Sequence, residues 1–78
     1  MPRVRYFAGA RDAAGADAED VAAATLGELL GGLAARDAGL ADVLARCSVL
    51  VDGVRTAEPS TPLGGDVTVD VLPPFAGG

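Results

Sequence analysis

The segment TLGELLGGLAAR, residues 25–36, constrains the fold more than any other stretch of this chain. Leu26, Leu29, Leu30 and Leu33 recur at i, i+3, i+4 and i+7, which draws one apolar stripe along a helix. Its start is marked by a capping box. Thr25 stands where its hydroxyl accepts from the backbone N–H of Glu28, and the Glu28 carboxylate reaches back to the N–H of Thr25. Gly31 and Gly32 lie inside the helix, and each costs about 1 kcal/mol relative to Ala. Such a helix does not stand on propensity. It needs a surface that covers the stripe.

The flanking sequence supplies strands for that surface. PRVRYFA alternates, with Val4 and Tyr6 on one face and Arg3, Arg5 and Phe7 on the other. Phe7 is the one large apolar residue on the arginine side. GARDAAGAD is a Gly/Ala/Asp connection with room for one helical turn, and AEDV reads as a short second strand. Gly39 follows the expected end of the leucine helix, and LADVLAR, with Leu40, Val43 and Leu44 on one face, gives a second, shorter one. SVLVDGVR carries Asp52-Gly53 between two β-rich runs, a hairpin signal. EPSTPL is a Pro-punctuated loop, Gly64-Gly65-Asp66 a turn, and VTVDVL sets Val67, Val69 and Val71 against Thr68, Asp70 and Leu72.

A leucine-striped helix among strands predicts an α+β fold, one layer of helix on a mixed four- to five-stranded sheet. With no internal repeat and no linker, residues 1–78 are expected to form a single domain. Leu29, Leu30, Leu33, Val67 and Val69 are the predicted core. The second face of the sheet is then open and carries Arg3, Arg5, Phe7, Thr68, Asp70 and Leu72. There Phe7 and Leu72 are either scattered surface apolars or the centre of a partner patch.

The composition excludes most chemistry. The chain has no His and no Trp, its six basic residues are all Arg, and it has one Cys. Ser/His and Cys/His nucleophile pairs are impossible, as is a Schiff-base lysine. No metal is expected, since the only ligands available are oxygens without calcium-loop spacing. The paired glycines lack a phosphate-loop frame. Cys47 reads as a small hydrophobe rather than a reactive thiol. Glu19 and Asp20, adjacent in a period-2 segment, point to opposite faces and read as solvated charges. A net charge of −5 opposes nucleic-acid and anionic-membrane binding. It suits a basic docking face on a protein partner, or serves solubility alone. No apolar run approaches the ~18 residues of a membrane span, and Met1-Pro2-Arg3 leads into a strand rather than a signal-peptide core. A cytoplasmic domain that catalyses nothing alone is expected.

The last residues, VLPPFAGG, read as a tethered reactive group. Pro73 and Pro74 hold the chain extended as it leaves the sheet. From Pro73 onward six residues reach up to ~20 Å at about 3.3–3.6 Å each. Gly77 and Gly78 have no side chain and pass where any other residue would stop. A terminal carboxylate is ionised at neutral pH and is a poor electrophile until activated.

VRYFAGARDAAG at 4–15, VLVDG at 49–53 and LPPFAGG at 72–78 together resemble the molybdopterin synthase small-subunit family. This is the sulfur-carrier branch (MoaD/ThiS) of the ubiquitin-like β-grasp proteins. The resemblance implies a β-grasp fold with a flexible functional tail over residues 72–78. It implies that an ATP-dependent adenylyltransferase of the ubiquitin-activating type adenylates the carboxylate of Gly78, and that a sulfur donor converts it to a thiocarboxylate. The loaded tail would enter the large subunit of molybdopterin synthase, in a heterotetramer, and donate sulfur to cyclic pyranopterin monophosphate. Gly78 carries the sulfur and Gly77 lets the tail pass. Phe7 and Leu72 match the family's apolar docking surface, with Pro73, Pro74 and Phe75 in the tail itself. No cofactor is implied for the chain. Arg11 in the first loop carries no firm role, and a solvated charge describes it as well. Other readings remain open: a sulfur carrier for thiazole or cysteine biosynthesis, a ubiquitin-like modifier, or an interaction domain with an inert tail.

Overall fold

The computed structural model describes residues 1–74. In chain order the elements are β1 (Arg3–Tyr6), α1 (Gly9–Ala14), β2 (Ala18–Asp20), α2 (Leu26–Arg36), α3 (Ala38–Leu44), β3 (Ser48–Val51), β4 (Val54–Arg55) and β5 (Thr68–Leu72). The five strands form one sheet in the order β2-β1-β5-β3-β4. β1 and β5 run parallel, with Arg5 opposite Asp70 and Tyr6 opposite Val71, and the other three pairings are antiparallel. The last strand therefore occupies the middle of the sheet.

Local chemistry accounts for most of these boundaries. At the start of α2 the Glu28 N–H donates to Thr25 Oγ1 (3.2 Å) and the Thr25 N–H to Glu28 Oε2 (3.2 Å), closing the capping box. At the β3–β4 turn, Asp52 (φ 48°) and Gly53 (φ 84°) both take positive φ, the geometry of a two-residue type I′ hairpin. The turn also holds the sheet: Asp52 Oδ1 accepts from the Thr68 N–H at 2.8 Å, and the Asp52 N–H donates to the Thr68 carbonyl at 2.8 Å. α1 ends at Gly15, in the left-handed region at φ 76°.

The core lies between α2 and the sheet. Val4, Tyr6, Leu26, Leu29, Leu33, Leu40, Val49, Val69 and Val71 are buried. Leu30 and Val67, expected among them, are only partly buried. Leu30 sits on the flank of the stripe, in a shallow groove with Leu44 and Cys47, and Val67 precedes β5. The loop before β5 straps the helix start, with the Leu26 N–H on Thr61 O and the Gly27 N–H on Pro59 O, both at 2.9 Å. A Cβ on Gly27 would stand 3.0 Å from that of Pro59, a tight contact that Pro59 could take only by shifting a few tenths of an ångström.

Two expectations need correction. α3 begins at Ala38, before Gly39 rather than after it. Asp37 leaves the helix at φ −160° and caps α3 by accepting from the Gly39 N–H at 2.8 Å, so Gly39 lies in the first turn of α3. Glu19 is not a solvated charge. It accepts from the buried Tyr6 hydroxyl and from Arg36 Nη1, each at 2.7 Å, and so ties β1, β2 and α2 together. Arg36 holds the Glu19 carboxyl below its ordinary range against the opposing effect of burial. Burial and the Glu19 hydrogen bond push the Tyr6 phenol well up, so it stays neutral.

Candidate functional site

The face of the sheet away from α2 is built by strand alternation. Val4 and Tyr6 point into the core, so Arg3 and Arg5 point outward. On β5 the same rule sets Thr68, Asp70 and Leu72 on the outer side, since Val69 and Val71 are buried. The parallel register brings Arg5 and Asp70 together. Arg5 Nε donates to Asp70 Oδ1 at 2.6 Å and Nη2 to Oδ2 at 2.9 Å, a two-pronged guanidinium–carboxylate pair. Asp70 is buried to 8% exposure, whereas the Arg5 side chain stays half exposed. Asp70 holds the Arg5 guanidinium above its ordinary value, by hydrogen bonding first and charge second.

Phe7 continues the outer row. Its N–H donates to the Val71 carbonyl at 3.2 Å, which extends the β1–β5 ladder and sets Phe7 beside Leu72. The Arg5 guanidinium lies over the Phe7 ring, 5.8 Å from its centre, at the outer limit of a cation–π contact. Phe7 is 39% exposed and Leu72 half-buried. The two expected docking residues are thus neighbours on one face, with an ion pair beside them.

Ala8, which follows, takes φ 47° and ψ −125°, a conformation that glycine normally supplies. The Ala10 N–H donates to the Phe7 carbonyl at 3.0 Å, so Phe7-Ala8-Gly9-Ala10 is a tight turn of the II′ kind. It directs the chain from Phe7 straight into α1.

At the same end of the face, Leu72 pairs with Ser48 of β3, and Pro73 and Pro74 leave from the middle strand. Pro73 is half-buried and Pro74 exposed, against a groove shared with Gly9, Val43 and Arg46. Phe75, Gly77 and Gly78, the remaining expected site residues, lie outside the described residues. Arg11 is exposed, 3.6 Å from Asp17.

Cys47 donates its Sγ–H to the Val43 carbonyl at 3.1 Å, and burial pushes its thiol up, which suits a packing residue and not a nucleophile. Among the described residues, no group of three or more His, Cys, Asp or Glu side chains is arranged to hold a metal ion. None of the described helices is long and apolar enough to cross a membrane. The sequence reading missed the Arg5–Asp70 pair; the outward alternation of both residues was the available signal, and the parallel register that joins them was not.

Residues 4–78 match the profile of the ThiS family. No curated protein sequence matches the chain. Among solved structures, the small archaeal modifier protein 1 of Haloferax volcanii superposes with a TM-score of 0.83 at 23% identity, over 99% of this chain and 98% of that one. The solution structure of small archaeal modifier protein 1 from Methanosarcina acetivorans gives 0.85 at 21% identity, over 99% and 95%. The complex of subunits 1 and 2 of the molybdopterin-converting factor from Helicobacter pylori contains a chain that matches at 0.77 and 25% identity, over 99% and 97%. The fold is the ubiquitin-like β-grasp.

Proposed function

Because this chain belongs to the ThiS family, among the MoaD/ThiS ubiquitin-like sulfur carriers, we propose that it carries sulfur on the terminal carboxyl of Gly78 for molybdopterin synthesis. The observation that carries this reading is that the family match runs through the tail to Gly78 and so takes in both glycines.

In this reading residues 1–78 work as one unit in the cytoplasm. An adenylyltransferase joins the Gly78 carboxylate to the α-phosphorus of ATP and releases pyrophosphate. Sulfur at the sulfide level then attacks the acyl carbon and expels AMP, leaving a thiocarboxylate. No side chain of this protein acts as base or nucleophile, in keeping with its composition. Its part is recognition and delivery. Phe7 and Leu72 form the apolar docking surface, and the Arg5–Asp70 pair beside them fixes the local shape. Pro73, Pro74 and Phe75 lead the tail into the partner, and Gly77 passes its channel without a side chain to obstruct it.

The large subunit of molybdopterin synthase is the proposed recipient. The complex of subunits 1 and 2 from Helicobacter pylori supports it, as does the RYFA and PPFAGG pairing in the sequence. The likeness to the two archaeal modifier proteins favours a second reading, attachment of Gly78 to other proteins. One experiment separates the two. The thiocarboxylated chain, mixed with the large subunit and cyclic pyranopterin monophosphate, should yield molybdopterin and return as the carboxylate. No product from a fully loaded chain, with Gly78 recovered in amide linkage to lysines of other proteins, would favour the modifier reading.

A further inference from the structure

The chain carries six arginines against eleven acidic residues. Four of the arginines stand within ion-pair distance of a carboxylate: Arg3 with Asp20 (3.4 Å), Arg5 with Asp70 (2.6 Å), Arg11 with Asp17 (3.6 Å) and Arg36 with Glu19 (2.7 Å). Arg46 is exposed and has no such partner among the described residues. Its side chain makes one hydrogen bond there, a long one from Nε to the Asp42 carbonyl at 3.4 Å. It lines the groove at the root of the tail, a space of about 160 Å³ shared with Gly9, Val43, Pro73 and Pro74.

We propose that this groove is a docking socket for a single acidic side chain, Asp or Glu, of the large subunit that receives the tail. The inference rests on the reading of this chain as a tail donor, and adds the contact that sets the tail's angle of entry.

Three features favour that occupant. The groove is well below the roughly 300–1,000 Å³ of small-molecule sites, so it suits one side chain and not a free ligand. Its lining joins the apolar Val43 and the two prolines to one arginine, which suits a short carboxylate-bearing side chain in charge. Its position also matters. The four residues after Pro74 span at most ~14 Å at about 3.6 Å each, so a protein holding Gly78 in its own site lies within that reach of the groove.

Gly9 leaves room at the same place. A Cβ built on it meets no atom within 4 Å, and its φ is not in the left-handed region. The fold itself therefore does not demand glycine there, yet any side chain would project into open space beside the tail root. Elsewhere this acidic protein invites a basic partner surface, so an acid set opposite Arg46 would act as a register mark. Misaligned docking would bring it against carboxylates.

The test measures binding of the full-length chain to the large subunit by calorimetry, at about 50 mM and about 1 M salt. Arg46→Glu should weaken binding about tenfold at low salt, and the difference should shrink to about twofold at high salt as the charges are screened. Gly9→Leu, which adds bulk beside the groove without altering charge, should weaken binding about tenfold at both salt concentrations. Both variants should keep the circular dichroism spectrum and thermal midpoint of the unaltered chain. If Gly9→Leu fails to fold, the salt series on Arg46→Glu decides alone. Either folded variant binding within twofold of the unaltered chain at low salt would overturn the socket. An unaltered chain that does not bind the large subunit at all would overturn the functional reading, and the socket with it.

Discussion

On the helix side of the sheet, Val4, Val69 and Val71 lose all contact with solvent, whereas on the other side the same two strands expose Arg5 and Phe7 and bury Asp70. Strand alternation serves both faces, with opposite outcomes. Toward α2 these valines pack without directional contacts under the leucine stripe, and the Tyr6 hydroxyl on Glu19 is the polar exception. Away from α2 the side chains of Arg3, Arg5 and Phe7 are exposed, and a directional ion pair organises the surface instead. The covered face carries stability. The open face carries shape, which suits a surface that waits for a partner.

That division can be broken by substitution. Leu33 is fully buried against the sheet, so Leu33→Ala should cost about 2–5 kcal/mol of unfolding free energy in urea. For a domain of this size that is much of the total. A loss below about 0.5 kcal/mol would mean that the covered face does not carry the stability assigned to it.

Asp70→Ala tests the other side. It removes both hydrogen bonds to Arg5, but the guanidinium left behind is half exposed and rehydrates. The cost should therefore be about 1–2 kcal/mol, below that of breaking a fully buried pair. A loss equal to that of Leu33→Ala would show that the open face is as much a core as the closed one.

Ala8→Gly acts at the rim of the open face and should stabilise the chain by about 0.5–2 kcal/mol. It releases the strain of a non-glycine residue at φ 47°, partly offset by the greater freedom of glycine in the unfolded state. A destabilised variant would mean that Ala8 does not hold this conformation in solution. The smallest effect is expected at Phe7. Phe7→Ala should change stability by no more than about 0.5 kcal/mol, since the ring is already substantially exposed, while weakening large-subunit binding by about 1–2 kcal/mol. A Phe7→Ala chain that unfolds readily would assign this ring to the fold.

The same comparison explains what the sequence made legible. Features set by neighbours in the chain could be read directly: the Thr25–Glu28 box, the Asp52-Gly53 turn, and the alternation of Val4 and Tyr6 with Arg3 and Arg5. Features set by distant pairing could not. Arg5 meets Asp70 across 65 positions, and only a parallel register between the first and last strands joins them. Glu19 looked solvated because its partners, Tyr6 and Arg36, arrive from two other elements. Gly39 reads in the sequence as lying between the two helices, whereas the start signal is Asp37, which caps α3 through the Gly39 N–H. At the site, the motif and the positions of Phe7 and Leu72 were readable. The groove around Arg46 was not, since Gly9, Val43 and Pro73 converge only in three dimensions.

The central claim, that the body recognises and the tail end reacts, is tested most directly by deleting Gly78. The full chain and the chain lacking Gly78 are each incubated with the activating enzyme, ATP and a sulfur donor, and their masses and urea unfolding curves are recorded. The full chain should exchange one carboxylate oxygen for sulfur. The truncated chain should not, although the two should unfold within about 0.5 kcal/mol of each other, because reactivity depends on placing the acyl carbon to within about 1 Å. A truncated chain that acquires sulfur as completely as the full one would contradict the account.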